Sequence, residues 1–180
     1  MGMLHGRKLG FTLVELLIVV IIIGILAAVA IPQFSDSATD AKSAALDSDL
    51  AAVRNAVELY YHQHTSKYPG IIKTHKVGAG AAVAHTNVEQ AFAYQLTMFS
   101  DVFGNTADTK DAAAFPYGPY LKRGIPSNPL PAAGALGAPA SVSVGTDTGP
   151  LSADGTPTTG WKFSSATGQL IANNAPYAGR

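Results

Sequence analysis

The sequence predicts an α+β protein, with one long N-terminal helix packed against a small antiparallel β-sheet of three to four strands. Three observations predict it. Residues 11–31, FTLVELLIVVIIIGILAAVAI, form an apolar run of helical length with one charge, Glu15. Helical periodicity then continues to about His64. The last third of the chain is instead cut by proline and glycine into short alternating segments, the pattern of strands and turns.

The chain therefore reads as a basic leader, 1–10, a long helix, 11–64, and an exported head, 65–180. At about 1.5 Å per residue the 11–31 segment makes roughly 30 Å of helix, the thickness of a bilayer core. Arg7 and Lys8 in the leader hold that end on the cytoplasmic side, so everything beyond Pro32 is expected outside. The alternative is an ordinary secretory signal cleaved near Ala27, Ala28 or Ala30. Gly24 permits close helix–helix contact, and Pro32 predicts a kink or a short melted section.

Beyond the proline, Leu46, Leu50, Val53, Val57 and Tyr60 advance by alternating four and three residues, one apolar face. Arg54 and Glu58 on its flank have the spacing of an ion pair. From Phe11 to His64 such a helix is roughly 80 Å long. Its second half can lie under a small domain. Its first half needs lipid or other copies of itself.

In the head, Tyr68-Pro69-Gly70 ends the long helix, and 70–85 reads as a Gly/Ala-rich loop. Thr86 and Glu89 fit a capping box opening a helix at about 87–103, with Val88, Phe92, Leu96, Phe99 and Phe103 as its apolar stripe. Prolines 116, 119, 126, 129 and 131 make 116–137 a loop, within which Leu121-Lys122-Arg123 is the compact basic spot. Strands are expected at 138–145, 160–163 and 169–172, burying Trp161, Phe163, Leu170 and Ile171 against the long helix.

Composition removes several function classes. Twelve basic residues balance twelve acidic ones, which speaks against a nucleic-acid partner. There is no cysteine, so disulfides, thiolate metal sites and cysteine nucleophiles are excluded. The 47% apolar content speaks against disorder. His62 and His64 point to different helix faces, and a metal site from His62, His75 and His85 is a remote alternative. With no HExxH, GxSxG or phosphate loop, the chain reads as non-catalytic.

Glu15 is the residue that needs an explanation, because a carboxylate in hydrocarbon requires a cationic partner or must snorkel to the headgroups. Cleavage after Gly10 would supply one, the α-amine of Phe11. That amine could pair with the carboxylate in its own chain or in a staggered neighbour, where the pair would set the register.

The stretch Gly10-Phe11-Thr12-Leu13-Val14-Glu15, followed by the apolar helix, resembles the class III signal of type IV pilins and type II secretion pseudopilins. The resemblance covers about residues 7–34. It implies a pilin-like fold, cleavage after Gly10 by a prepilin peptidase, methylation of the new N-terminal Phe11, and guidance of subunit addition by Glu15. Gly24 and Pro32 match the glycine and the helix-bending proline of that family. The implied protein is a structural subunit of a type IV pilus or secretion pseudopilus, with the major pseudopilins among the forms it resembles. Its alternatives are a minor subunit that primes assembly, or a membrane-anchored binding module that does not polymerise. Implied partners are identical or related pilin subunits, the peptidase, an inner-membrane assembly platform and, before assembly, the lipid bilayer. The implied location is single-pass in the inner membrane with a periplasmic head, then a periplasmic or cell-surface filament.

The segment 118–129 and the hairpin 160–170 also resemble parts of major pseudopilins and of a bacterial pilin subgroup. A calcium loop of the pseudopilin kind would have only Asp147 and Asp154 to draw on, and no run of oxygen ligands is evident. No cofactor is therefore expected.

Overall fold

The computed structural model describes residues 10–136 and 138–180, and for 30–32, 35 and 36 the backbone alone. The leader 1–9, with Arg7 and Lys8, lies outside the described residues. The chain divides into two compact units, Met1–Ala41 and Lys42–Arg180.

Helix α1 spans Leu13–Gln63 and runs unbroken through Pro32, so the melted section expected there is absent. A proline removes one N–H donor, and the bonds of the adjacent turns maintain the helix. From Leu16 to Val29 the helix is apolar on every side.

In the second unit, Leu46, Leu50, Val53, Val57 and Tyr60 of α1 are all buried, as their spacing predicts. They pack on Phe92 and Leu96 of helix α2 (Val88–Thr97) and on Val142, Trp161, Phe163 and Leu170 of a three-stranded sheet. The strands that the head adds in chain order are β1 (Thr74–Lys76), β2 (Ala82–Ala84), β3 (Phe99–Ser100), β4 (Thr106–Ala107), β5 (Val142–Gly145), β6 (Trp161–Ser164) and β7 (Leu170–Ala172). The protein is α+β, as predicted, and pilin-like in carrying a long N-terminal helix with a small sheet.

Three details correct the sequence reading. The C-terminal sheet, order β5-β6-β7, is mixed and not antiparallel. β5 and β6 run parallel with Val142 opposite Trp161, and only β6 and β7 are antiparallel. The long connection between β5 and β6 carries the chain back to the same end of the sheet, which a hairpin cannot do.

Second, 70–85 is not a plain loop. It holds the β1-β2 hairpin, joined to β3 and β4 in a second sheet of order β2-β1-β4-β3.

Third, α2 ends at Thr97, not 103. Phe99 and Ser100 leave the helix to pair with Ala107 and Thr106, and Ser100 exchanges backbone bonds with Tyr117. The Asp101 carboxylate closes the following turn by accepting from the Phe103 and Asn105 N–H groups, both at 2.9 Å. Phe103 therefore ends up exposed. The cap is also one residue later than expected. Asn87 accepts from the Gln90 N–H at 2.7 Å, and Gln90 reaches back to the Thr86 N–H at 2.6 Å. Both Thr86/Glu89 and Asn87/Gln90 satisfy the sequence pattern of a capping box, so spacing alone could not choose between them.

The proline-rich loop 116–137 supplies polar anchors to the core. The Trp161 indole N–H donates to the Pro126 carbonyl at 2.8 Å, and the Asn128 side chain donates to the Gly160 carbonyl at 2.8 Å.

Candidate functional site

The N-terminal end of α1 is built by two residues. Leu13 is the first helical residue, which makes Thr12 the cap and Glu15 the third position of the first turn. The Glu15 carboxylate Oε2 accepts from the Thr12 N–H at 2.8 Å and from the Thr12 hydroxyl at 2.7 Å. The Glu15 N–H donates to the Thr12 hydroxyl oxygen at 3.2 Å. This is a reciprocal capping box, and it places a carboxylate where the partial positive charge of the helix N-terminus favours it. Sequence reasoning missed Thr12, although Thr-x-x-Glu is the signal it used at residue 86.

Gly10 and Phe11 precede the helix, and both are exposed, Phe11 by 81%. A strand or helix there would bury its backbone polar groups in hydrogen bonds, whereas an extended exposed segment can enter an enzyme's cleft.

From Phe11 to Val29, fourteen large apolar side chains are each at least 47% exposed. Burial of such a side chain is worth about 1.5–3 kcal/mol. A folded subunit in water leaves nearly all of that unrealised here. Among the described residues no helix is long and apolar enough to cross a membrane. The described apolar side chains run from Phe11 to Val29, and those of Ala30 and Ile31 lie outside the described residues. Among the described residues, a Cβ added at Gly24 meets nothing within 4 Å. The Pro32 side chain lies outside the described residues.

The head's polar groups are committed to structure. Arg54 does not pair with Glu58. It donates to the Leu170 carbonyl at 2.8 and 3.2 Å and to Arg180 O at 2.5 Å, tying the last strand to α1. The ion pairs among the described residues are Arg180–Asp47 and Lys162–Asp154. Asp154 is held by Lys162 at 2.8 Å and Asn173 at 2.9 Å, and these bonds lower its carboxyl below the ordinary aspartate range. Asp147 offers its backbone carbonyl to the Ser164 hydroxyl.

The histidines divide. His62 is exposed on α1. His64 is buried, stacked on Tyr60 at 3.7 Å and bonded to the Tyr60 carbonyl and the Ser100 hydroxyl. His75 on β1 and His85 after β2 converge on Thr106. No group of three metal-ligating side chains occurs among the described residues.

Comparison with known proteins singles out the same end of the molecule. The family profile "Prokaryotic N-terminal methylation motif" matches residues 6–31. The chain is 54% identical over 50 residues to the Thermus thermophilus "Type IV narrow pilus major component PilA5", covering 28% of this chain and 43% of the relative. It is 38% identical over 58 residues to the Pseudomonas aeruginosa "Type II secretion system core protein G", covering 32% and 41%. It is 37% identical over 81 residues to the Dichelobacter nodosus "Type IV major fimbrial protein FimA", covering 43% and 51%. The chain thus spans about half or less of the length of these relatives. No solved structure gives a significant match.

Proposed function

We propose that this chain, whose N-terminal segment is similar to those of type IV pilins and type II secretion pseudopilins, is a non-catalytic structural subunit that polymerises through α1. The observation that carries this reading is the exposed apolar surface from Phe11 to Val29, with one capped carboxylate at its tip. A bilayer covers that surface before assembly, and the helices of sibling subunits cover it afterwards. The open space at Gly24 suits close approach of a neighbouring helix.

Processing is part of the same reading, and the exposure of Gly10 and Phe11 is compatible with it. A prepilin peptidase cuts after the exposed Gly10, and Phe11 becomes the methylated N-terminus. Glu15 then has two roles. Oε2 caps its own helix, and Oε1, which accepts no hydrogen bond among the described residues, is available to the Phe11 amine of an adjacent subunit. The head lies on the periplasmic side before extraction by an inner-membrane assembly platform, and no cofactor takes part.

N-terminal sequencing with intact mass of the membrane-extracted protein tests the processing, and Phe11 with one added methyl group is the expected result. A water-soluble protein starting beyond Ala28 would overturn it. Glu15→Ala should remain membrane-inserted while filament yield in the sheared fraction falls by about tenfold or more, as expected when one member of an ion pair in hydrocarbon is removed. Wild-type yield from that variant would refute the pairing. Shearing also separates the two forms of the reading, since a surface pilus is released as fibres and a pseudopilus stays with the cell. A protein that never polymerises would point to the anchored binding module, and one needed only in trace amounts to a priming subunit.

A further inference from the structure

The four-stranded sheet contains a buried polar relay unrelated to assembly. His75, on β1, and His85, following β2, are 9% and 4% exposed. Both rings reach the hydroxyl of Thr106 on β4, His75 through Nδ1 at 3.1 Å and His85 through Nε2 at 3.0 Å.

The backbone decides where the protons are. The Lys73 N–H donates to His85 Nδ1 at 3.3 Å, so that nitrogen is the acceptor and neutral His85 carries its proton on Nε2. His85 Nε2–H then donates to the Thr106 hydroxyl oxygen, and the hydroxyl O–H donates to His75 Nδ1. Every link points the same way, and the chain closes only when both imidazoles are neutral.

We propose that His75, Thr106 and His85 form an acid-operated latch, which holds the β1-β2 hairpin on its sheet when both rings are neutral and releases it on protonation. A proton added at His85 Nδ1 confronts the Lys73 N–H, donor against donor. A proton added at His75 Nδ1 confronts the Thr106 O–H and forces the hydroxyl to turn away from its acceptor. With both rings charged, two cations share one hydroxyl.

The surroundings give no relief. From α2 the Tyr94 ring faces both imidazoles, at 4.7 and 5.7 Å. From β4 the facing group is Thr106, while Lys76 of β1 and Lys73 just before it are of like sign. Asp108, just beyond β4, is turned to the Gly78 N–H at 2.8 Å. Among the described residues neither imidazole hydrogen-bonds a carboxylate. Burial, with His75 alongside, already holds His85 below the ordinary histidine value of 6.5.

What the latch retains is slight. β1 has three residues, β2 is exposed along its length, and the turn between them closes through a Gly80 N–H bond to the Val77 carbonyl. A hairpin of this size is not stable alone. The latch operates in a single subunit and does not depend on the filament reading.

The chain has no cysteine, so a single introduced one can be labelled cleanly. A nitroxide at Val83→Cys, opposite His75 in the register, reports the hairpin, and one at Ala166→Cys in the β6-β7 turn reports the rest of the head. Spectra of the full chain in detergent micelles are recorded from pH ~7.5 to ~5. The Val83 label should mobilise reversibly with a midpoint below the ordinary histidine value, its mobile-to-immobile ratio rising by up to about tenfold per pH unit for each proton taken up. The Ala166 label should not change. In the His75→Gln/His85→Gln double variant the pH dependence should vanish, whichever state its hairpin adopts. A Val83 label insensitive to pH, a transition that persists in the double variant, or both labels mobilising together would overturn the latch.

Discussion

Gly160→Ala is the sharpest test of the head's architecture. Gly160 stands immediately before β6, where the proline-rich loop crosses the start of the strand. A Cβ built there falls 1.8 Å from the carbonyl oxygen of Pro139, against the 3.4 Å at which ordinary contact begins. Both sides of the clash are backbone, so no rotamer change relieves it, and the chains must separate. That separation strains three hydrogen bonds: Asn128 N–H to Pro139 O at 2.9 Å, Asn173 N–H to Gly160 O at 3.0 Å, and Asn128 Nδ2–H to Gly160 O at 2.8 Å. At a net value of about 1 kcal/mol each, the loss is about 3 kcal/mol, the upper end of ordinary overpacking. For a domain of this size that lowers Tm by roughly 10 °C. Trp161, the single tryptophan, is the neighbouring residue, so thermal unfolding in detergent followed by its near-ultraviolet dichroism reads the site directly. A shift smaller than about 2 °C would mean that the loop and strand do not meet as described.

Gly24→Leu makes the complementary prediction: with no atom within 4 Å of its Cβ, the head's Tm should be unchanged while filament yield falls severalfold, checked by melting and by shearing. Phe92→Ala removes a fully buried ring that packs on Phe163 at 4.6 Å, and should destabilise the head by about 3–5 kcal/mol in denaturant titration. His64 predicts a pH dependence. Burial holds its imidazole below the ordinary value of 6.5, so the unfolded chain takes up the proton first. The stability it contributes is fully present above that value and is lost as pH falls through the folded-state value. The decline in stability below pH 6.5 should be shallower in His64→Gln, measured by denaturant titration at successive pH values.

The parts of this protein that were legible in sequence are those set by short-range periodicity. Leu46, Leu50, Val53, Val57 and Tyr60 announce their burial because a helix repeats every 3.6 residues whatever it packs against. The N-terminal segment is legible for a different reason. The function proposed for it rests on covalent sequence, a glycine, a phenylalanine and a carboxylate at set distances along the chain. The Thr12 cap was available from the same spacing rule. Where two registers satisfied one rule, as at Thr86 and Asn87, the pattern could not choose, and the hydrogen bonds of Gln90 did.

By itself, then, the sequence determined the long helix, its apolar face, the exposed greasy stretch and the single carboxylate near its tip, because each depends on neighbours a few positions away. Tertiary structure alone decided what rests on partners far along the chain. It turned Phe99 and Ser100 from helix to strand, ran β5 parallel to β6, took Arg54 from Glu58 to the Leu170 carbonyl, and brought His75 and His85 to one hydroxyl. Those outcomes follow from which distant backbone donors and acceptors meet, and local spacing carries no record of that.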